Sequence, residues 1–165
     1  MSILSELATP AAMLEWQIVG IGSFFNSDDE IGLALVHALS EETEWTSNCV
    51  LWEGADAATV TSSLLEWSRP TVLVDAGDMD LAPGEHRFFS DRDASVMLKD
   101  SSVSTHGLGL AEGLQLARNL GFDQPVFVFS VQPFDLSPRQ GLTPEMKILF
   151  PTLLSALKAA CSQLS

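Results

Sequence analysis

Asp29, Asp75 and His106 are the residues of this chain whose types and placement could do chemistry together. Two carboxylates and one imidazole make an incomplete shell for a divalent transition metal, leaving positions for water or for donors from a partner. The mixed oxygen and nitrogen set suits nickel or zinc better than calcium and does not choose between the two. Asp29 lies in GIGSFFNSDDEIG, Gly20 to Gly32; Asp75 closes the apolar run Val72-Leu73-Val74; His106 opens HGLGLAEGLQLARNLG. In an open parallel sheet, the loops leaving the strand carboxyl ends converge on one crevice, so these distant segments can meet.

Other chemistries fit less well. Gly20 and Gly22 before a helix look like the start of a dinucleotide site, but Asp28, Asp29 and Glu30 occupy the helix end that a phosphate would need. Gly32 also follows Gly22 by ten residues, too far for the dinucleotide fingerprint. A small nucleotide-binding regulator is therefore disfavoured. Taken alone, the acidic run reads as helix capping plus a solvated first turn. There is no G-x-S-x-G elbow, Cys49 has no marked activating environment, and Ser27 and Ser104 are merely available hydroxyls. His37 in the first helix and His86 beside Glu85 and Arg87 suit ordinary surface or core roles. Asp78 and Asp80 are within reach of the crevice, though loop solvation explains them equally well. Phe127 and Phe129 read as core, and Phe24-Phe25 could line a peptide cleft.

The elements that must position these residues alternate. A buried strand is expected over Trp16 to Ile21, then a helix from near Ser27 or Asp28 whose polar start caps its open amides. A strand over Cys49 to Trp52, a helix over Ala57 to Trp67 and a strand ending at Asp75 complete a βαβαβ order. A turn at Pro83-Gly84 leads into a strand from His86 to Phe89, and Ser90 to Thr105 reads as a loop. A helix from His106 to Gly121, the core strand PVFVFSVQP and a helix capped by Thr143 with Pro144 in its first turn follow. Pro151 cannot donate to the Lys147 carbonyl, so a kink or break is expected there. The expected fold is a single three-layer α/β domain over residues 1–165: a mostly parallel twisted sheet with helices on both faces and one antiparallel strand.

With 46% hydrophobic and 18% charged residues, disorder is disfavoured. The 22 Asp and Glu against 8 Lys and Arg leave a net charge of -14, which repels nucleic-acid phosphate and favours basic partners and metal ions. Cys49 and Cys161 form no spaced motif, so a disulfide scaffold is not expected. The opening MSILSELATPAAMLEW lacks the pattern of a signal peptide, no apolar run reaches membrane-spanning length, and a cytoplasmic location is the default.

The ordered set IVGIGSFFNSDDEIG, VLVDAGD, APGEHRFF, STHGLGLAEGL, VFSVQP and GLTPEM resembles the nickel-iron hydrogenase maturation endopeptidases from about Ile18 onward. The resemblance implies an aspartyl-type, metal-dependent endopeptidase that removes a C-terminal extension from the precursor of the hydrogenase large subunit. It assigns metal binding and catalysis to Asp29, Asp75 and His106, with nickel presented by the substrate; zinc or cadmium could occupy the site in the isolated protein. The alternative is a noncatalytic nickel-binding chaperone for the same precursor. Ser23 replaces the family's usual asparagine, Glu30 replaces a glycine or small residue, and Glu53 stands in for an aspartate before an altered glycine-rich turn. These departures bear on which precursor is chosen. The acidic surface is expected to assist docking to a basic tail or face, an attraction that salt weakens.

Overall fold

The computed structural model describes residues 15–54, 56–93 and 105–164, except for the side chains of 105–109. Five strands form one sheet: β1 (Gln17–Gly22), β2 (Cys49–Glu53), β3 (Thr71–Ala76), β4 (His86–Ser90) and β5 (Val126–Val131), in the order β2-β1-β3-β5-β4. All neighbours are parallel except β4, which runs antiparallel to β5. Every residue of β1 and β3 is buried, as befits central strands covered on both faces.

Strand alternation divides the core into two layers. Ile18, Val72, Val74 and Phe129 face α1 (Ile31–Ser40) and α4 (Pro144–Ser162), meeting Leu35, Leu39, Met146, Leu153 and Leu157. Val19, Ile21, Leu73 and Val128 face α2 (Ala57–Trp67) and α3 (Thr105–Asn119), meeting Val60, Leu64, Leu110, Leu114 and Ala117. The α/β architecture with one antiparallel strand is thus as the periodicities require.

Glycines set the depth at which helices dock. A Cβ on Gly32 would overlap the Val74 carbonyl, and one on Gly20 would lie 2.9 Å from the Val36 Cβ, so α1 lies against β1 and β3 at backbone distance. On the other face, a Cβ on Gly113 of α3 would lie 2.8 Å from the Val60 Cβ of α2, and the Thr61 hydroxyl donates to the Gly113 carbonyl at 3.0 Å.

Several boundaries differ from expectation. The first strand starts at Gln17, and a short 3-10 helix (Ser27–Glu30) precedes α1, with no side-chain cap on either. The expected capping role of the acidic run is therefore corrected. Asp56 caps α2 by accepting from the Thr59 amide at 2.8 Å, and Thr143 caps α4 by accepting from the Met146 amide at 3.2 Å. Helix α4 runs on through Pro151 and is not divided there. Ser90 closes β4 and Thr105 opens α3, while residues 94–104 of the expected loop, Ser104 among them, lie outside the described residues. Cys49 and Cys161 are free thiols, each pushed by burial up to about 12. Among the described residues no helix is long and apolar enough to cross a membrane.

Candidate active site at the carboxyl end of the sheet

The chain leaving β1 turns back on itself. A Cβ on Gly22, which has φ +156, would overlap the Asp29 carbonyl, and that carbonyl accepts from the Ser23 amide at 3.4 Å. Glycine at 22 thus lets the Ser27–Glu30 turn fold down onto the strand end. Ser27 takes a left-handed conformation with φ +51, at a cost of about 1–2 kcal/mol for a residue with a side chain. Two bonds to the segment between β5 and α4 hold it there: its amide donates to the Arg139 carbonyl at 2.9 Å, and its hydroxyl donates to the Ser137 carbonyl at 2.7 Å. The Ser27 hydroxyl is committed to that contact and is no nucleophile.

Asp28 is fully buried and serves the same segment. Its Oδ1 accepts from the Thr143 amide at 2.8 Å, its Oδ2 from the Phe134 amide at 2.9 Å and the Asp135 amide at 3.3 Å, and the Thr143 hydroxyl lies 3.0 Å from both oxygens. A buried carboxylate demands such donors, and here four of them come from more than a hundred residues away.

Asp29 follows, 5% exposed, in a turn that packs against β1 and β3. Asp75 is the penultimate residue of β3, 3% exposed, opposite Ser130 in register, and its Oδ1 accepts from the Ala76 amide at 2.8 Å. Asp29 and Asp75 therefore come from touching elements at one end of the sheet. His106 is the second residue of α3. Since α3 leads through residues 120–125 into the start of β5, its own start lies at the carboxyl end of the strands, the end that carries both aspartates. The His106 imidazole lies outside the described side chains; those that are described form no metal-ligating group of three. Two carboxylates withdrawn from water at one sheet end are a donor set that fits a divalent cation.

The remaining candidates have other surroundings. His37 is exposed and lies 3.6 Å from Glu41 on the surface of α1, and the exposed His86 stacks on Phe129 at 4.9 Å between ring centres. Asp78 accepts from the Asp80 amide and from Gln132 Nε2, both at 3.2 Å, and so organises the loop after β3. Glu30 is half-buried; burial pushes its carboxyl above the usual range, against the lowering effect of the Gly141 amide and Lys147. Glu53 is exposed at the end of β2, beside Gly22 in register. Phe129 is core, Phe24 is half-buried and Phe25 is exposed at the mouth of the β1 loop.

Three residues whose roles the sequence hid stand out: Asp28, Thr143 and Gln132. Asp28 looked like a generic capping acid and Thr143 only like a cap. The single advance signal for Gln132 was its place in VFSVQP at the end of the core strand.

Residues 33–160 match the family model of HycI, hydrogenase maturation protease. Among curated proteins, the chain is similar to the hydrogenase expression/formation protein HupD of Thiocapsa roseopersicina, 29% identical over 132 residues. That match covers 79% of this chain and 60% of HupD. It is also similar to the hydrogenase 2 maturation protease of Escherichia coli, 26% identical over 145 residues, covering 87% of this chain and 88% of the relative. Its fold is that of the hydrogenase maturating endopeptidase HybD from E. coli, with a TM-score of 0.71 at 24% identity over 90% of this chain and 93% of the other.

Proposed function

The chain belongs to the hydrogenase maturation protease family, and from that premise we propose that it is an endopeptidase removing a C-terminal extension from the precursor of a nickel-iron hydrogenase large subunit. The observation that supports the site is that Asp29 and Asp75 lie on touching elements, both withdrawn from water, at the sheet end where α3 starts, with His106 as its second residue.

In this reading, Asp29, Asp75 and His106 hold nickel that the precursor itself carries, so the ion is part of the substrate. Bound there, such an ion polarises a carbonyl or a water and lowers the cost of developing negative charge. The chain's own contribution is orientation. The folded-back β1 loop fixes Asp29, the β3 end fixes Asp75, and the Gly113 contact between α2 and α3 fixes the helix that carries His106. A carboxylate of the pair accepts the proton released by the attacking water. The free thiols of Cys49 and Cys161 suit a reducing compartment, and the reading places the reaction in the cytoplasm.

The test is incubation of the purified chain with nickel-loaded and nickel-free precursor, followed by intact-mass measurement, with folded Asp29→Asn, Asp75→Asn and His106→Ala proteins alongside. The expected result is a defined C-terminal mass loss with the wild-type chain and the nickel-loaded precursor alone. Normal processing by the three variants would sink the site assignment, and binding without mass loss would make the protein a nickel-binding chaperone.

A further inference from the structure

We propose that Gln132 is a positioning residue for Asp75, an inference that rests on the endopeptidase reading above. Gln132 follows the last residue of β5 and is 8% exposed. Its side chain is wrapped by the chain that leaves β3. Oε1 accepts from the Met79 amide at 2.7 Å and the Leu81 amide at 3.3 Å, while Nε2 donates to Asp78 Oδ1 at 3.2 Å. Its backbone is bound just as fully: its amide donates to the Glu85 carbonyl, and its carbonyl accepts from the Gly84 amide, both at 2.8 Å. One residue thus organises the β3–β4 connection from Asp78 to Glu85.

That stretch begins three residues beyond Asp75. The Asp75 carboxylate accepts from the next amide, Ala76, so its direction depends on the backbone path at 76 and 77. Gly77 is confined on one side, where a Cβ would overlap the Ser130 hydroxyl, and its amide donates to the Val131 carbonyl at 3.0 Å. On the far side, Gln132 is the anchor. Asp80 within this loop takes a left-handed conformation with φ +56, which aspartate tolerates in turns. With the side-chain amide of Gln132 removed, Met79 and Leu81 lose their acceptor, and the path at 76 and 77 is held from the Val131 side alone. The β5 exit therefore serves both acidic loops: Gln132 holds the one that follows Asp75, and the segment 134–143 holds the one that carries Asp29.

The test compares Gln132→Leu, Gln132→Glu and the double variant Gln132→Glu/Asp78→Asn with the wild type. All are assayed on nickel-loaded precursor at a temperature where each is fully folded. Gln132→Leu is expected to lower kcat by about 10- to 100-fold, the scale of lost outer-shell orientation, with KM little changed and faster amide exchange at Met79 and Leu81. Gln132→Glu keeps the acceptor but sets a second carboxylate against Asp78, so it falls between. Adding Asp78→Asn removes that repulsion and lets an Asn NH2 at 78 donate to the Glu at 132, at the expense of the Asp80 amide that shares Oδ1, so a partial recovery of kcat and amide protection is expected. A merely stabilising role would move Tm without this rescue. If the wild type processes precursor and Gln132→Leu matches its kcat, or the double variant recovers nothing, the inference fails while the function stands. If the wild type cuts no precursor, the function and the inference fall together.

Discussion

Replacing Asp28 with asparagine changes two atoms' worth of chemistry and no shape, which makes its cost calculable from the bonds. Both carboxylate oxygens accept from backbone amides, Oδ1 from Thr143 and Oδ2 from Phe134 and Asp135. An asparagine has one acceptor oxygen, so either orientation points an NH2 group at an N–H donor. The cheaper orientation turns NH2 toward Thr143 and strands one buried amide, which costs about 1–3 kcal/mol. The bonds that survive are no longer charge-assisted, which removes about 1–2 kcal/mol more. The Thr143 hydroxyl, which accepts from the Met146 amide, can offer its second lone pair to the new NH2 but then loses the acceptor for its own proton. The sum is about 3 kcal/mol. In urea unfolding, with a slope of about 2 kcal/mol per molar, the midpoint should fall by about 1.5 M at unchanged slope. A variant within about 0.5 kcal/mol of the wild type would refute the claim that these four donors hold a buried carboxylate.

Two further outcomes follow from the packing. Gly32→Ala gains about 1 kcal/mol in helix propensity but places a methyl against the Val74 carbonyl, so a net loss of about 2 kcal/mol or more is expected in the same unfolding assay. A stabilised Gly32→Ala protein would show that α1 does not lie at backbone distance from the sheet. The two thiols have folded-state pKa values raised from 9.0 to about 12, so their contribution to stability is whole below about pH 9 and lost as pH rises towards 12. Replacing both with alanine should flatten the fall in stability across that window relative to the wild type, and an unchanged slope would contradict their burial.

Much of the fold was legible because its signals are local. The runs around Val72 and Val126 could only be buried strands, and Leu110, Leu114 and Ala117 repeat at helical spacing. Thr143-Pro144 announces a helix start. What was not legible depends on partners far away in the chain. Asp28 and Asp29 are the same residue type one position apart, yet Asp28 is bound by amides at 134, 135 and 143, and nothing near it in sequence says so. The glycines of GIGSFFNSDDEIG were visible, but their purpose was not. Gly20 and Gly32 admit a helix to backbone distance and Gly22 lets the turn fold down, so no phosphate cradle is involved. The helix is not broken at Pro151 because an exposed proline removes one bond from a helix that Leu153, Leu157 and Cys161 still bind to the core.

The contacts between residues 25–28 and 134–143 also order events in time. The Arg139 amide donates to the Phe25 carbonyl, the Asp28 amide to the Asp135 carbonyl, and Asn26 bridges to Arg139. A chain emerging from the ribosome presents Asp29 and Asp75 early, but the residues that moor their loops, 132 to 143, come last but for α4. Closing such long loops is slow and waits on the distal segment. The turn that carries Asp28 and Asp29 therefore cannot make its mooring bonds until residues 134 to 143 have been synthesised.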